Sequence, residues 1–177
     1  SRRLLGKWGT NVQNFPKKLR KLFVADPGKV LVQADQAGAE ALVVSYLCRE
    51  GNFRSLFANG VKSHVYVALR LFEDVWAAEL GQSIKDYCEA PAAELVKLPR
   101  WEELKKLISS SDNWSADKRY YFMAKMVCHA SNYGMKAPTF RVNVLQKSGG
   151  AVNLTNKRAV FFLETYHPLF PEIRLWH

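Results

Sequence analysis

The chain has 177 residues, 48% of them hydrophobic, and a formal net charge of +10. That apolar content excludes general disorder and allows one domain with its own core. No apolar run reaches the ~20 residues that a membrane-spanning helix needs, and SRRLLGKWGT at the start has no apolar stretch of the kind a secretion signal carries. Three cysteines, Cys48, Cys88 and Cys128, stand far apart with no C-x-x-C pair. They argue against a disulfide framework or a zinc site and for a reducing, cytoplasmic setting. A first residue other than Met and a last stretch RLWH lead us to expect a piece of a longer protein, or a trimmed or processed product.

In chain order, residues 1–19 are punctuated by Gly6, Gly9, Asn11, Asn14 and Pro16 and read as irregular. KLFVADPGKVLVQAD (21–35) reads as a strand, a Pro-Gly turn and a second strand ending at Asp35. AGAEALVVSYLCRE (37–50) reads as a helix, GNFRSLFANG (51–60) as a short helix between glycines, and SHVYVALRLF (63–72) as a helix with a Ser cap. Residues 73–116 are mixed: LPRWEELKKLI (98–108) is helical and SSSDNWS (109–115) a loop. ADKRYYFMAKMVCHASNYG (116–134) predicts a long helix closed by glycine, with Tyr120, Met123, Val127 and Ala130 inward. APTFRVNVLQKSGG (137–150) predicts a short helix, and NLTNKRAVFFLETYHPLF (153–170) another, broken near Pro168.

Charge is unevenly spread. Residues 1–25 hold Arg2, Arg3, Lys7, Lys17, Lys18, Arg20 and Lys21 and no acid, and 117–147 hold six basic residues against Asp117 alone. Residues 73–104 between them are acidic. The basic blocks fit contact with phosphate backbones, or merely a solvated basic surface; charge alone leaves both open.

Two constellations carry chemistry. Asp35, at the end of an apolar run and five residues before Glu40, stands where a metal-binding acid often stands, because magnesium uses one or two carboxylates plus substrate phosphates. A helix cap at Asp35 and a surface acid at Glu40 are the plainer alternative. On the long helix, Lys118, Tyr121, Lys125, His129 and Tyr133 recur every three or four residues and form one stripe. Such a stripe suits a triphosphate along the lysines and a sugar and base against the rings; a wet basic face would look the same. There is no GxxxxGK[ST] loop to cradle phosphates.

VLVQADQAGAEALVVSYL followed by KMVCHASNYGM resembles the first two motifs of family A DNA polymerases, the relatives of bacterial DNA polymerase I, and most nearly the phage type. The first is Asp-x-x-x-x-Glu (Asp35, Glu40); the second is Lys-x7-Tyr-Gly (Lys125, Tyr133, Gly134). GTNVQNFPKKLRKLF, NGVKSHVYVALRLF and YHPLFPEIRLWH resemble further family segments in the correct order, leaving 73–116 uncovered.

The resemblance implies a template-directed DNA polymerase that adds deoxynucleotides to a primer in DNA replication, with two magnesium ions held by Asp35 and helped by the carbonyl of Gln36. It implies that Lys125 contacts the triphosphate and His64 a phosphate, that Glu40 crowds the sugar 2′ position, and that Tyr133 and Gly134 border the nascent pair and the template. Arg3, Asn11, Gln13 and Asn14 match positions that touch the primer–template duplex, and Arg20 lies in the same basic block. There are departures. Tyr121 stands where the family has Arg, with Lys118 as a stand-in and Arg119 pointing away. His129 stands where the family has Phe or Tyr, and Ala37, Gly38 and Leu42 replace more polar residues.

The family's third motif, a His-Asp-Glu turn, is not found in 1–177. The chain alone is therefore expected to be inactive, with the remainder of the enzyme in cis or trans. The alternatives are a non-catalytic DNA- or nucleotide-binding subunit of a split or degenerate polymerase, and an unrelated basic helical domain. The expected fold class is α+β, mainly helical: one partial domain with antiparallel palm strands near 21–35, residues 1–60 on the palm side, 61–177 on the fingers side, and 73–116 an acidic insertion. Expected partners are primer–template DNA and deoxynucleoside triphosphates, with no membrane, in a bacterial or phage-infected cell.

Overall fold

The computed structural model describes residues 19–32, 38–111 and 119–176, with Arg20 described by its backbone alone, and the chain divides into two units, 1–37 and 38–177. The described residues are all-helical, with eleven α-helices and no strand. The expected α+β class with palm strands is thus overturned.

Residues 21–32 form no strand. Leu19–Leu22 forms a 3-10 turn instead of entering a strand. The Pro-Gly turn does form: the Lys29 N–H donates to the Asp26 carbonyl at 2.9 Å, and Gly28 has φ 80°. Pro27 at the second position and a left-handed Gly28 at the third are the residues such a turn asks for. Its arms make no ladder, and Val24, Val30 and Val32 are each 83% exposed. A lone hairpin is marginal in water, since β-branched residues favour strands only where a neighbour covers them. Asp35 and the rest of 33–37 lie outside the described residues.

In the second unit the helices run α1 (Ala39–Leu47), α2 (Asn52–Ala58), α3 (Ser63–Leu71), α4 (Glu73–Leu80), α5 (Lys85–Glu89), α6 (Ala92–Leu95) and α7 (Trp101–Ser110). After the undescribed 112–118 come α8 (Tyr120–Asn132), α9 (Ala137–Lys147), α10 (Asn156–Leu169) and α11 (Pro171–Trp176). Ser63 is not the cap of α3: Lys62 occupies that position, and Ser63 is the buried first residue of the helix. Pro168 does not break α10 but is its penultimate residue.

Helices α3 and α8 are the core of this unit. Val65–Leu69 of α3 are buried on every side, and α8 packs against α3, α7, α9 and α10. Helix α4 adds Trp76, wholly buried, its indole N–H donating to the Ala68 carbonyl at 2.8 Å. Leu95, Trp101, Leu104 and Ile108 are buried too, while Glu73, Asp74, Glu79, Asp86, Glu89, Glu94, Glu102 and Glu103 stay exposed. Each such apolar side chain contributes about 1.5–3 kcal/mol by leaving water. The acidic stretch is therefore an integral part of the core, with its charges on the outer faces.

Arg100, before α7, has a positive φ of 58°, unusual for a side-chain-bearing residue. Its guanidinium offsets that strain by reaching both carboxylate oxygens of Glu103 (2.8 and 2.9 Å) and Gln82 Oε1 (3.1 Å). A second device joins distant segments. Glu172 of α11 is buried, and its carboxylate accepts from the Phe53 N–H at 2.5 Å, closing the start of α2 where no local side chain does. Asn52 adds a bond to the Leu169 carbonyl at 3.1 Å.

No helix among the described residues is long and apolar enough to cross a membrane.

Candidate functional site

Helix α8 begins with unusual support. Ser111, at the end of α7, is buried and its hydroxyl accepts from the Tyr121 N–H at 3.0 Å. At the other end, Gly134 has φ 63°, its N–H donates to Ser131 and the Met135 N–H to Ala130 (3.2 and 2.8 Å). That pair of bonds is the left-handed closure that glycine makes at least cost.

Between its ends α8 is buried at Tyr121, Met123, Ala124, Met126, Val127, Cys128, Ala130, Ser131 and Asn132. An ordinary surface helix buries one stripe; here burial extends nearly all round. What remains outward is narrow: Phe122, Lys125 and His129 are half-buried, and Tyr133, the residue closing the helix, is 54% exposed. Met123, Val127 and Ala130 are inward as expected, and Tyr120 is half-buried.

The predicted residues come together in two groups. In the first, the Lys125 ammonium lies 4.4 Å from the Tyr121 ring centroid, and the His64 ring of α3 meets Tyr121 edge to face at 6.1 Å. Tyr121 is 8% exposed, so its ring steers the lysine, a cation over an aromatic face being worth about 0.5–1 kcal/mol at partly exposed sites. In the second group the His129 and Tyr133 rings meet at 4.9 Å, and His129 Nδ1 lies 3.6 Å from Glu40 Oε2 of α1. The two side chains are 43% and 72% exposed, so this pair, ionic when the imidazole is protonated, is a weak tie. It nevertheless brings residues 89 positions apart in sequence onto one surface.

Beyond Gly134 the surface opens into a cleft of about 600 Å³ between the α8–α9 turn, α10 and α11, bordered by Lys136, Glu164, His167 and Arg174. The sequence reading named none of these four as site residues. Lys136 follows Gly134 closely, but His167 and Arg174 reach it only through the packing of α10 and α11.

Asp35, Gln36, Lys118, Arg3, Asn11, Gln13 and Asn14 lie outside the described residues, and of Arg20 only the backbone is described. Among the described residues no three His, Cys, Asp or Glu side chains gather where a metal ion could sit. The described donors alone do not fit a pair of magnesium ions.

The cysteines belong to the core, not to the site. Burial pushes the Cys88 thiol up to about 12, with nearby Glu73 adding to it. Burial also raises Cys128 and Cys48.

No family model matches the chain, and no curated protein or solved structure is significantly similar to it. The resemblance to family A polymerases rests on the quoted motifs alone.

Proposed function

We propose that this chain is part of a template-directed DNA polymerase of family A and that the outward stripe of α8 receives the incoming deoxynucleoside triphosphate. The carrying observation is that α8, buried almost all round, leaves outward a cation, an imidazole and a phenol in that order, ending at a left-handed glycine. Lys125, steered by Tyr121, takes the triphosphate, and His64 lies close enough to the same end to share it. His129 and Tyr133 border the sugar and base. Glu40, on His129, stands where it can crowd the sugar 2′ position. The open cleft past Gly134 is room for the template strand. Magnesium, when bound, would supply charge neutralisation at the phosphates and an activated primer hydroxyl; Asp35 and the Gln36 carbonyl are the groups proposed to hold it. Primer–template DNA is the proposed partner of the basic 1–25 block, through phosphate contacts that position without reading sequence.

Calorimetric titration with a deoxynucleoside triphosphate tests this reading. A lysine hydrogen-bonded to phosphate contributes about 1.5–3 kcal/mol, so Lys125→Ala weakens binding by roughly 10- to 150-fold. Unchanged affinity in that variant, with the fold intact by circular dichroism, overturns the assignment.

A further inference from the structure

A second cavity lies on a different side of α8. It measures about 290 Å³ and is walled by Phe72, Tyr120 and Phe162, with Arg119 and Arg158 at its edge and the 151–154 segment as its rim. Phe72 packs against Tyr120 at 4.8 Å and against Phe162 at 5.9 Å, so the wall is one continuous aromatic surface. Arg119, Tyr120 and Met123 give it the face of α8 turned away from Lys125 and His129, so it is separate from the proposed nucleotide stripe.

Its charge is one-sided. Among the described residues two guanidiniums line it and no carboxylate does. Among the described residues neither arginine forms an ion pair: Arg158 lies over the rings of Phe161 and Phe162 (5.3 and 4.8 Å), and Arg119 over Phe122 at 6.0 Å. Among the described residues the buried Arg119 Nε–H has no hydrogen-bond partner. A buried charged donor left unmade is costly, and such groups are normally satisfied. The N-terminal ends of α8 and α10 flank the same space and add positive potential.

We propose that this cavity binds a small organic anion: a carboxylate or phosphate monoester gripped by Arg119 and Arg158, carried on a single flat ring set against Phe72, Tyr120 and Phe162. Guanidinium forks match both oxyanions in two-point geometry. Aromatic walls favour a planar body in offset or edge contact. The volume sits at the small end of ligand cavities, which are typically about 300–1,000 Å³, so it suits one ring rather than a nucleotide.

The test uses the full chain labelled at its methionine methyls. Met123 lines the cavity, whereas Met126 does not and Met135 borders the other cleft. Phenyl phosphate and benzoate are titrated, with inorganic phosphate and phenol as the anion-only and ring-only probes. The expected result is a saturable shift of the Met123 signal alone, with phenyl phosphate or benzoate binding tighter than either partial probe. Arg119→Gln and Arg158→Gln each weaken it about tenfold or more, and Lys125→Ala leaves it unchanged. Absence of a saturable Met123 shift in the native chain overturns the proposal even if a variant misfolds. So does native affinity retained in both arginine variants, or loss of binding in Lys125→Ala.

Discussion

Gly51→Ala is the substitution whose cost the structure fixes most directly. Gly51 has φ 179°, extended backbone that alanine adopts without strain. Space is the obstacle: a Cβ there would stand 2.5 Å from the Glu172 carboxyl carbon and 2.7 and 2.8 Å from its oxygens. Glu172 is 6% exposed and closes the start of α2 through the Phe53 N–H, so it cannot retreat without breaking that bond. An unsatisfied buried N–H costs about 1–3 kcal/mol and a displaced buried carboxylate adds to it, so the expected loss is about 2–4 kcal/mol. For a chain of this size each kcal/mol lowers Tm by about 2–4 °C, giving a fall of roughly 5–15 °C. Thermal and urea unfolding followed by circular dichroism measure it. The decisive arm is the double variant: in Glu172→Ala the space is open, and adding Gly51→Ala costs less than about 0.5 kcal/mol. A Gly51→Ala change that is nearly neutral, or whose cost simply adds to that of Glu172→Ala, refutes the reasoning.

The three thiols are buried and pushed upward, so iodoacetamide at pH 8 leaves Cys48, Cys88 and Cys128 unmodified in the native chain and labels all three in urea; rapid native labelling contradicts the packing. Because the folded thiol of Cys88 titrates near 12 and the unfolded one near about 8.5, folding is favoured below the lower value and loses stability as pH rises between them; a urea midpoint flat across pH 9–11 argues against this. Tyr166→Phe removes a buried hydroxyl that donates to Asn132 Oδ1 at 2.6 Å, leaves that acceptor unpaired, and lowers stability by about 1–2 kcal/mol in urea unfolding. If the chain is part of a family A polymerase as proposed, primer extension by the isolated 177 residues with magnesium gives no product, because 1–177 hold no His-Asp-Glu turn; robust extension refutes that expectation.

Local signals carried much of the fold. Glycines and apolar spacing marked α2, α8 and α9 to within a few residues, since short-range capping and periodicity decide them. The strands failed because Val30, Leu31 and Val32 have strand propensity but no cover: they are 65–83% exposed, and propensity without a partner does not make a ladder. The acidic 73–104 stretch was opaque for the opposite reason. Its charges dominate the composition, while the residues that matter to the core, Trp76, Leu95, Trp101 and Leu104, are thinly spaced across three short helices. At the site, the Lys125–His129–Tyr133 stripe was legible because four-residue spacing is a property of one helix. The contacts of Tyr121 with His64 and of His129 with Glu40 depend on how α3 and α1 pack on α8. The Arg119–Arg158 cavity needs three separate segments and left no local trace.

The burial of α8 bears on how a site here would work. A cation on a freely rotating surface helix loses rotamer entropy when it grips phosphate, which offsets part of the gain. Lys125 is already held over Tyr121, whose ring is fixed by the core, and the end of the stripe is fixed by the Gly134 closure. The α8 stripe is therefore held in place before any ligand arrives, at the expense of tolerance. Most changes to the inward side of this helix move the outward side chains as well, so if the stripe binds nucleotide as proposed, variants such as Val127→Ala lose stability and nucleotide affinity together. Lys125→Ala, in contrast, separates the two, which is why it is the cleaner probe of what the face does.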